Sequence, residues 1–308
     1  MKRKHGRLPS LISILGMLML LVSCAGSLAS PTIEKLELAS PQWLAWQNED
    51  SLLVGGNYSE EDSQYVIVFK TQAPFKEGGI FFLQTADRPQ VEISMLNGGD
   101  FCYVSGGHLM EMNGQNGSIK YRVEAKASQV FVAPMAGRSL LVENGKLYCD
   151  ELTNELGAAP HGQLQVLWSA DSSYAVICGS NATVLCNVLN GDMLTLADAP
   201  VYASFGGNVL YYAKADGTVG TVDLSDMKQG ELSIAGFEFL AACPKGERLV
   251  GRMSDGSFVT YQVSSGKTKT LKVDGTLELA CEPAFSPNGQ QVAFVGTLNG
   301  EISVQIAR

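Results

Sequence analysis

A hairpin unit recurs along this 308-residue chain, and its spacing limits the folds open to the chain more than any other feature. The unit is clearest near the C-terminus, where turns at Pro287–Gly289 and Asn299–Gly300 each precede an alternating strand. Equivalent second turns lie at Gly106–Gly107, Asn144–Gly145, Asn181–Ala182, Asp216–Gly217 and Asp255–Gly256. From the first of these turns to Asn299–Gly300, their second residues are 38, 37, 35, 39 and 44 residues apart. Strands repeating at such a period predict a β-propeller, in which each repeat forms one blade.

Seven units fill the chain after its N-terminal segment. Their approximate ranges are 42–85, 91–123, 128–156, 163–196, 201–234, 237–273 and 277–307. Glycine and proline cluster at the joints between units, as turn residues do between strands. The prediction is an all-β protein, a seven-bladed β-propeller of four-stranded antiparallel blades, with six or eight blades as alternatives.

The two ends of the repeat region predict how the ring closes. A lone alternating strand, Ile33–Leu38, precedes the first unit, whereas the last unit ends after its third strand. Pairing these two would remove two open sheet edges, which otherwise invite aggregation. The N-terminal strand is therefore predicted to complete the last blade, so that residues 32–308 form a single β-propeller domain.

The repeat has a recognisable sequence motif. Phe285–Gly289 reads F-S-P-N-G and is followed by V-A-F and a later N-G; Trp168–Ser172 matches it, and Ala242–Gly246 matches it more loosely. This phrase resembles the TolB-like and WD-repeat-like propeller repeat. The Trp-Asp pair that ends true WD repeats is absent, and Asn288 stands where that turn commonly has an acidic residue. The resemblance implies a propeller that serves as an interaction platform in the cell envelope.

The N-terminal segment reads as an export signal. Four basic residues lie within positions 2–7, and Leu11–Val22 is an apolar run too short to span a bilayer comfortably. Leu21-Val22-Ser23-Cys24 resembles the bacterial lipobox, which implies cleavage between Ser23 and Cys24 and acylation of the Cys24 sulfur and amino group. Residues 1–23 are then a lipoprotein signal peptide and residues 24–31 a lipidated tether. An ordinary secretory signal cleaved near Ala25–Ala29, or an uncleaved anchor, are the alternatives.

All three readings place the body of the protein outside the cytoplasm. The lipobox reading anchors it to the outer face of a bacterial membrane, either the cell membrane or the periplasmic side of an outer membrane. Acyl chains on Cys24 supply the membrane affinity, since two or more chains give stable anchoring.

The charge balance excludes some partners. Without residues 1–23 the chain keeps 18 of its 22 basic and all 31 acidic side chains, a formal net charge of −13. So acidic a chain is not expected to bind nucleic acid or to dock electrostatically on anionic lipid. The bilayer contact is expected through Cys24 alone, with an envelope protein or polymer as the further partner.

Six cysteines follow Cys24. Cys178 and Cys186 flank one predicted hairpin, which makes them the candidate disulfide, provided that their geometry meets the distance limits of the bond. The other four lie in apolar strand contexts, where a free cysteine behaves as a small hydrophobic residue.

Neither metal nor cofactor residues are predicted. His108 and His161 lack the spacing of a zinc site. The two acidic segments in the first unit, Glu49-Asp50 and Glu60-Glu61-Asp62, lack a calcium-loop pattern.

No catalytic residue is predicted either, because the chain has no G-x-S-x-G and no recognisable Ser/His/Asp set. Propeller hydrolases gather carboxylates at one mouth of the channel. Six carboxylates could be placed there: Glu92, Asp100, Asp171, Asp198, Glu238 and Glu282.

Three functions follow. The first is a membrane-anchored, extracytoplasmic, non-enzymatic platform that binds a protein or polymer of the envelope. The second is an extracytoplasmic hydrolase or lactonase with a carboxylate-lined channel. The third is a sensor lipoprotein that binds a small molecule or glycan in the same channel. Three or more converging carboxylates would favour the enzyme.

Overall fold

The computed structural model of the chain describes residues 32–35, 38, 40–57, 64–70, 76–83, 93–96, 100–105, 108–113, 116, 118–124, 127–134, 138–196, 202–274 and 276–308. Ser23 and Cys24 lie outside these ranges, as do Glu60–Asp62, Glu92 and Asp198. The described part is all-β and contains no helix. In this part no helix is therefore long and apolar enough to cross a bilayer.

The described strands form seven antiparallel sheets, and six of these are four-stranded with their strands paired in chain order. We number the sheets 1 to 7 in chain order, as follows. Sheet 1 contains β2 (Ser40–Asn48), β3 (Ser51–Asn57), β4 (Gln64–Lys70) and β5 (Lys76–Leu83). Sheet 2 contains β6 (Ile93–Met95), β7 (Phe101–Ser105), β8 (His108–Met112) and β9 (Ile119–Glu124). Sheet 3 contains β10 (Gln129–Val132), β11 (Ser139–Glu143), β12 (Lys146–Cys149) and β13 (Glu155–Ala158).

Sheets 4 to 6 continue the pattern. Sheet 4 contains β14 (Gln165–Trp168), β15 (Tyr174–Cys178), β16 (Thr183–Asn187) and β17 (Met193–Leu196). Sheet 5 contains β18 (Ala203–Gly206), β19 (Val209–Ala213), β20 (Val219–Asp223) and β21 (Lys228–Leu232). Sheet 6 contains β22 (Phe237–Ala242), β23 (Arg248–Met253), β24 (Phe258–Gln262) and β25 (Lys267–Thr270).

Sheet 7 joins the two ends of the described chain. It contains β26 (Glu278–Leu279), β27 (Ala284–Phe285), β28 (Val292–Leu298), β29 (Glu301–Ala307) and the first strand, β1 (Thr32–Lys35). β1 pairs antiparallel with β29, with Thr32 opposite Ile306 and Lys35 opposite Ser303. The predicted pairing of the N-terminal strand with the last unit is therefore present, and it covers the edge that β29 would otherwise leave open.

The turn after the first strand has the same geometry in three sheets. In sheet 4 the Ser169 hydroxyl accepts a hydrogen bond from the Tyr174 amide at 2.9 Å, and Ser172 has a left-handed φ of 60°. In sheet 7 Ser286 accepts from the Gln291 amide at 3.1 Å, and φ is 71° at Gly289. In sheet 6 the thiol sulfur of Cys243 replaces the hydroxyl and accepts from the Arg248 amide at 3.2 Å. The sequence match between these segments thus reflects one turn structure.

The apolar clusters lie between successive sheets. Val176 of sheet 4 packs with Leu210 of sheet 5, whereas the adjacent Ile177 packs with Leu140 of sheet 3. Successive side chains of a strand point to opposite faces. Both faces of these strands are therefore buried, and the strands read as continuous apolar runs.

The same packing links the remaining sheets whose side chains are described. Clusters join sheets 2 and 3, 5 and 6, 6 and 7, and 7 and 1. The residues between sheets 1 and 2 fall largely outside the described ranges.

Hydrogen bonds from side chains to the main chain also connect neighbouring sheets. The Gln129 amide group of sheet 3 donates to the Gly162 carbonyl at 3.1 Å, next to sheet 4. The Tyr174 hydroxyl of sheet 4 donates to the Leu224 carbonyl of sheet 5. The Tyr211 hydroxyl of sheet 5 donates to the Gly246 carbonyl of sheet 6 at 3.0 Å. Between sheets 1 and 7, the Trp46 Nε1 donates to the Ala284 carbonyl at 2.9 Å.

Neighbouring sheets present the same turns at the same end. In a four-stranded antiparallel sheet the first and third turns lie at one end and the second turn at the other. The Gly207 amide in the first turn of sheet 5 donates to the Pro244 carbonyl in the first turn of sheet 6 at 2.8 Å. We call this end of the sheets the first-turn face, and the opposite end the second-turn face.

Candidate functional site

The first strands of sheets 4 to 6 and strand β27 of sheet 7 line a cavity of about 300 Å³, which we call the central cavity. Its wall includes Ala170, Gly207 and Pro244, all in first turns, so the cavity reaches the first-turn face. Its larger side chains are apolar: Leu167, Trp168, Phe205 and Phe285. Glu282 is the one ionisable side chain in the described lining.

A bulge in sheet 7 places Glu282 in this wall. The pairs Leu279–Gly296 and Ala284–Ala293 enclose four residues on the inner chain, 280–283, but only two on β28. Pro283 lies in this bulge, where its missing N–H costs no ladder hydrogen bond. The two extra residues carry Cys281 and Glu282 out of the sheet register.

The Glu282 carboxylate has an unusual environment. Within the described residues it has neither an ion pair nor a hydrogen bond, and burial raises its pKa to about 7. The residue is nevertheless exposed to solvent. Both facts fit a position in the wall of an open cavity, where water reaches the carboxylate while the residues that line the cavity reduce its hydration.

The charge of Glu282 affects the pKa of three other titratable groups. Burial, and then the charge of Glu282, raise the pKa of the Cys281 thiol to about 12. Burial also raises the pKa of the Cys178 thiol, a hydrogen bond with Thr183 lowers it, and Glu282 raises it further. The pKa of Tyr202 is raised mainly by burial and then by Glu238 and Glu282, against a lowering by Arg252. The groups around Glu282 are therefore neutral at physiological pH.

A second cavity, of about 560 Å³, lies on the second-turn face between sheets 5 and 6. Tyr202, Glu238 and Arg252 contribute to its wall. The Arg252 Nη2 donates to the Leu277 carbonyl at 2.8 Å, and its guanidinium carbon lies 4.8 Å from the centre of the Phe258 ring. Arg252 thus connects sheet 6 to sheet 7, so its guanidinium group already has a structural role.

The six carboxylates considered from the sequence do not converge in the described part. Glu238 and Glu282 both act on Tyr202, but they line different cavities. Asp171 belongs to the first turn of sheet 4. Burial raises its pKa, but hydrogen bonds from Ser169 and Ser173 lower it more, and the net change is downward. Asp100 accepts a hydrogen bond from the Asn113 side chain at 3.1 Å in sheet 2. Glu92 and Asp198 lie outside the described residues.

The disulfide considered between Cys178 and Cys186 is not formed. Cys178 is opposite Thr183 and Cys186 is opposite Ala175, so the two cysteines are three register steps apart. An odd number of steps puts their side chains on opposite faces of the sheet. Accordingly, Cys186 packs towards sheet 3 and Cys178 towards sheet 5, and both thiols are free. A bond of about 2 Å between the sulfurs cannot join these positions.

Among the described residues no group of three His, Cys, Asp or Glu side chains could hold a metal ion. His161 is exposed, and its main-chain amide donates to Asn181 at 2.6 Å. Glu49 and Asp50 form the turn between β2 and β3. Of His108, only its place in β8 is described.

Sequence reasoning included Glu282 among six carboxylates but gave no reason to prefer it. It missed Tyr202, Arg252 and Cys281. The one signal was Pro283, because a proline directly before a short inner strand predicts an interruption of the sheet there.

No protein-family model matches the chain, and no curated protein sequence matches it.

Proposed function

We propose that this chain is a membrane-anchored, extracytoplasmic β-propeller lipoprotein that acts as a non-enzymatic binding platform in the cell envelope. In this proposal the seven sheets are the blades of one ring, and β1 closes that ring. The support is the contact of sheet 7 with sheet 1, through the Trp46 hydrogen bond and a shared apolar cluster, together with the apolar clusters that join each pair of neighbouring sheets from 2 to 7.

The anchor in the proposal is acylated Cys24. The lipobox-like residues 21–24 support it, and seven residues separate Cys24 from the start of β1. Such a tether would hold sheet 7 close to the bilayer. If Cys24→Ala is expressed in a bacterium, the protein should leave the membrane fraction; continued membrane association would contradict the anchor.

The observation that carries the binding function is where apolar surface is exposed. In the described part, three large apolar side chains are exposed: Leu189 at 62%, Leu152 at 38% and Leu167 at 36%. Leu152 and Leu189 are in third turns of the neighbouring sheets 3 and 4, and Leu167 lines the central cavity. All three therefore belong to the first-turn face or to the cavity that reaches it, and a partner on this face would cover them.

Binding accounts for the central cavity better than hydrolysis does. Glycoside hydrolysis, for example, uses two carboxylates flanking one bond. The described lining of the central cavity offers Glu282 alone. The same cavity favours a second candidate function, that of a lipoprotein that binds a small molecule.

Crosslinking in intact cells followed by purification of the native lipoprotein from membranes tests the platform. We expect a defined envelope partner whose yield falls when Leu189 and Leu152 are both changed to Ser. Recovery of no partner, together with turnover on a panel of lactones and glycosides, would contradict the proposal. A matched variant on the second-turn face, Thr218→Ser, should leave the yield unchanged.

A further inference from the structure

The side chains that line the central cavity are mainly apolar, with one carboxylate, Glu282, and one hydroxyl, Ser204. Leu167, Phe205 and Phe285 supply apolar surface, and Glu282 supplies the charge. Ligand sites usually have this composition, with a few placed polar groups in a mainly apolar lining. Its volume of about 300 Å³ lies at the small end of such sites.

Within the described part of the chain, the Glu282 carboxylate has no ion-pair partner. Lys146 and Lys214 pair with other carboxylates, those of Glu155 and Glu231, each at an N–O distance of 2.6–2.7 Å. Arg252, which like Glu282 affects the pKa of Tyr202, is held by the Leu277 carbonyl and the Phe258 ring. A carboxylate of reduced hydration gains most from a ligand that brings its own positive charge and N–H donors.

We infer that the central cavity binds a small molecule with a primary ammonium group on an apolar, preferably aromatic, body. The ammonium group contacts the Glu282 carboxylate, and the apolar body lies among Leu167, Phe205 and Phe285. The aromatic side chains in the wall favour such a ligand in two ways. They bury its apolar body, and their ring faces attract its positive charge. This inference rests on the second candidate function above, ligand binding in the cavity.

The ionisation of Glu282 sets the expected pH dependence. The titratable groups around it are Cys281 on its own strand, Cys178 of sheet 4 and Tyr202 before β18, with Glu238 and Arg252 of sheet 6 beyond Tyr202. Burial raises the pKa of Glu282 to about 7, whereas alkylammonium groups keep their proton to about pH 10. Affinity should therefore increase from pH 5.5 to pH 8.5 as the carboxylate loses its proton.

Calorimetric titration of the complete chain in detergent micelles tests the inference. The probes are 2-phenylethylamine, 2-phenylethanol and 3-phenylpropionate, which share an aromatic body and differ in charge. We expect the amine to bind at least about tenfold more tightly than the alcohol at pH 8, because its hydrogen bond is charge-assisted. The propionate should bind weakest of the three.

Three variants locate the site. Glu282→Gln should remove the preference for the amine and its pH dependence, and Glu238→Gln, in the other cavity, should change neither. Ala170→Phe narrows the cavity at an exposed turn position and should weaken the amine and the alcohol alike.

Equal affinity of the amine for the wild type and Glu282→Gln would overturn the inference. So would an amine that binds no better than the alcohol, or the absence of amine binding altogether. The binding-platform proposal is tested separately, because the crosslinking experiment does not use the cavity ligand. If a crosslinked partner is recovered, that proposal is supported even when the amine test fails.

Discussion

The indole Nε1 of Trp46 donates a hydrogen bond of 2.9 Å to the carbonyl oxygen of Ala284, a residue 238 positions further along the chain. Trp46 is on the first strand of sheet 1 and Ala284 is on an inner strand of sheet 7. Trp46 is buried and also packs in the cluster that these two sheets share. One side chain thus contributes both a polar and an apolar contact between the first and last sheets.

Trp46→Phe should lower the free energy of unfolding by about 1–2 kcal/mol, since the Ala284 carbonyl loses its donor while most of the packing remains. Trp46→Ala should cost about 3–5 kcal/mol, because it also leaves a cavity. Urea unfolding of both variants measures the contribution of the hydrogen bond and that of the apolar packing. Equal stabilities of Trp46→Phe and the wild type would mean that the hydrogen bond adds nothing.

Two glycines with similar backbone angles should differ in their tolerance of a side chain. A Cβ at Gly217, where φ is 82°, meets no atom within 4 Å. A Cβ at Gly246, where φ is 72°, would lie 2.3 Å from the Gly206 carbonyl oxygen of the neighbouring sheet. Gly217→Ala should therefore cost only the left-handed strain of about 1 kcal/mol. Gly246→Ala should cost about 1–3 kcal/mol more through overpacking. Equal losses in thermal unfolding would argue against the close contact of sheets 5 and 6.

Glu282 should make stability fall as pH rises. Its pKa is about 7 in the folded chain and 4.5 as the ordinary value, so between these values the unfolded chain releases the proton first. Stability from this group is therefore lost between about pH 4.5 and pH 7. Glu282→Gln should match the wild type at pH 4.5 and exceed it by about 1–2 kcal/mol at pH 8, a figure discounted because solvent reaches the carboxylate. Urea unfolding at both pH values, with Glu238→Gln as the control, checks this expectation.

The turn aspartate Asp255 should make stability fall as pH decreases, the opposite of the effect of Glu282. The Ser257 hydroxyl and amide donate to it at 2.6 and 2.9 Å, and these bonds lower its pKa below 3.8. Its stabilisation is then present above pH 3.8 and is lost as pH falls through the lowered value. Asp255→Ala should reduce the melting temperature at pH 7 and weaken the acid dependence. Asp255→Asn keeps an acceptor for Ser257 and should recover part of the loss; no difference between the two variants would contradict the turn assignment.

All six cysteines of the described part should be found in the reduced state, without a disulfide. Burial raises the pKa of Cys186 to about 12 and of Cys149 to about 11, so little thiolate forms at neutral pH and alkylation of the folded protein should be slow. Thiol titration of the acylated protein in guanidinium chloride should give these six, since Cys24, the seventh cysteine, then has no thiol, and a reducing agent should leave the melting temperature unchanged. A melting temperature that falls in reductant would show a disulfide.

The all-β architecture of four-stranded antiparallel sheets could be predicted from the sequence because turns are a local property. Asp216-Gly217 and Asp255-Gly256 mark hairpins since the glycine takes a left-handed φ, and the structure has these angles at both. The matched phrase at Phe285–Gly289 corresponds to a turn whose hydrogen bonds involve only residues five apart or fewer. Contacts between residues so close in the chain produce a sequence motif that can be recognised without the structure.

The candidate site was harder to predict, since its residues come from different sheets. Glu282 reaches the cavity through a two-residue bulge, and nothing local separates a bulged Cys-Glu-Pro from a turn. Asp171 looked equally suitable, but Ser169 and Ser173 hold it in a turn. The Cys178–Cys186 pair failed for a related reason, because closeness along a hairpin does not fix the face on which each side chain lies.

The pairing of β1 with β29 also sets an order in time. A ribosome releases Thr32 long before Ile306, so β1 has no partner while the strands of sheets 1 to 6 are being synthesised. Sheet 7 is the last to be completed, whatever the folding order of the others. Until β29 is synthesised, β1 is an extended segment without its partner strand. A chaperone that recognises extended segments would be able to bind it during that time.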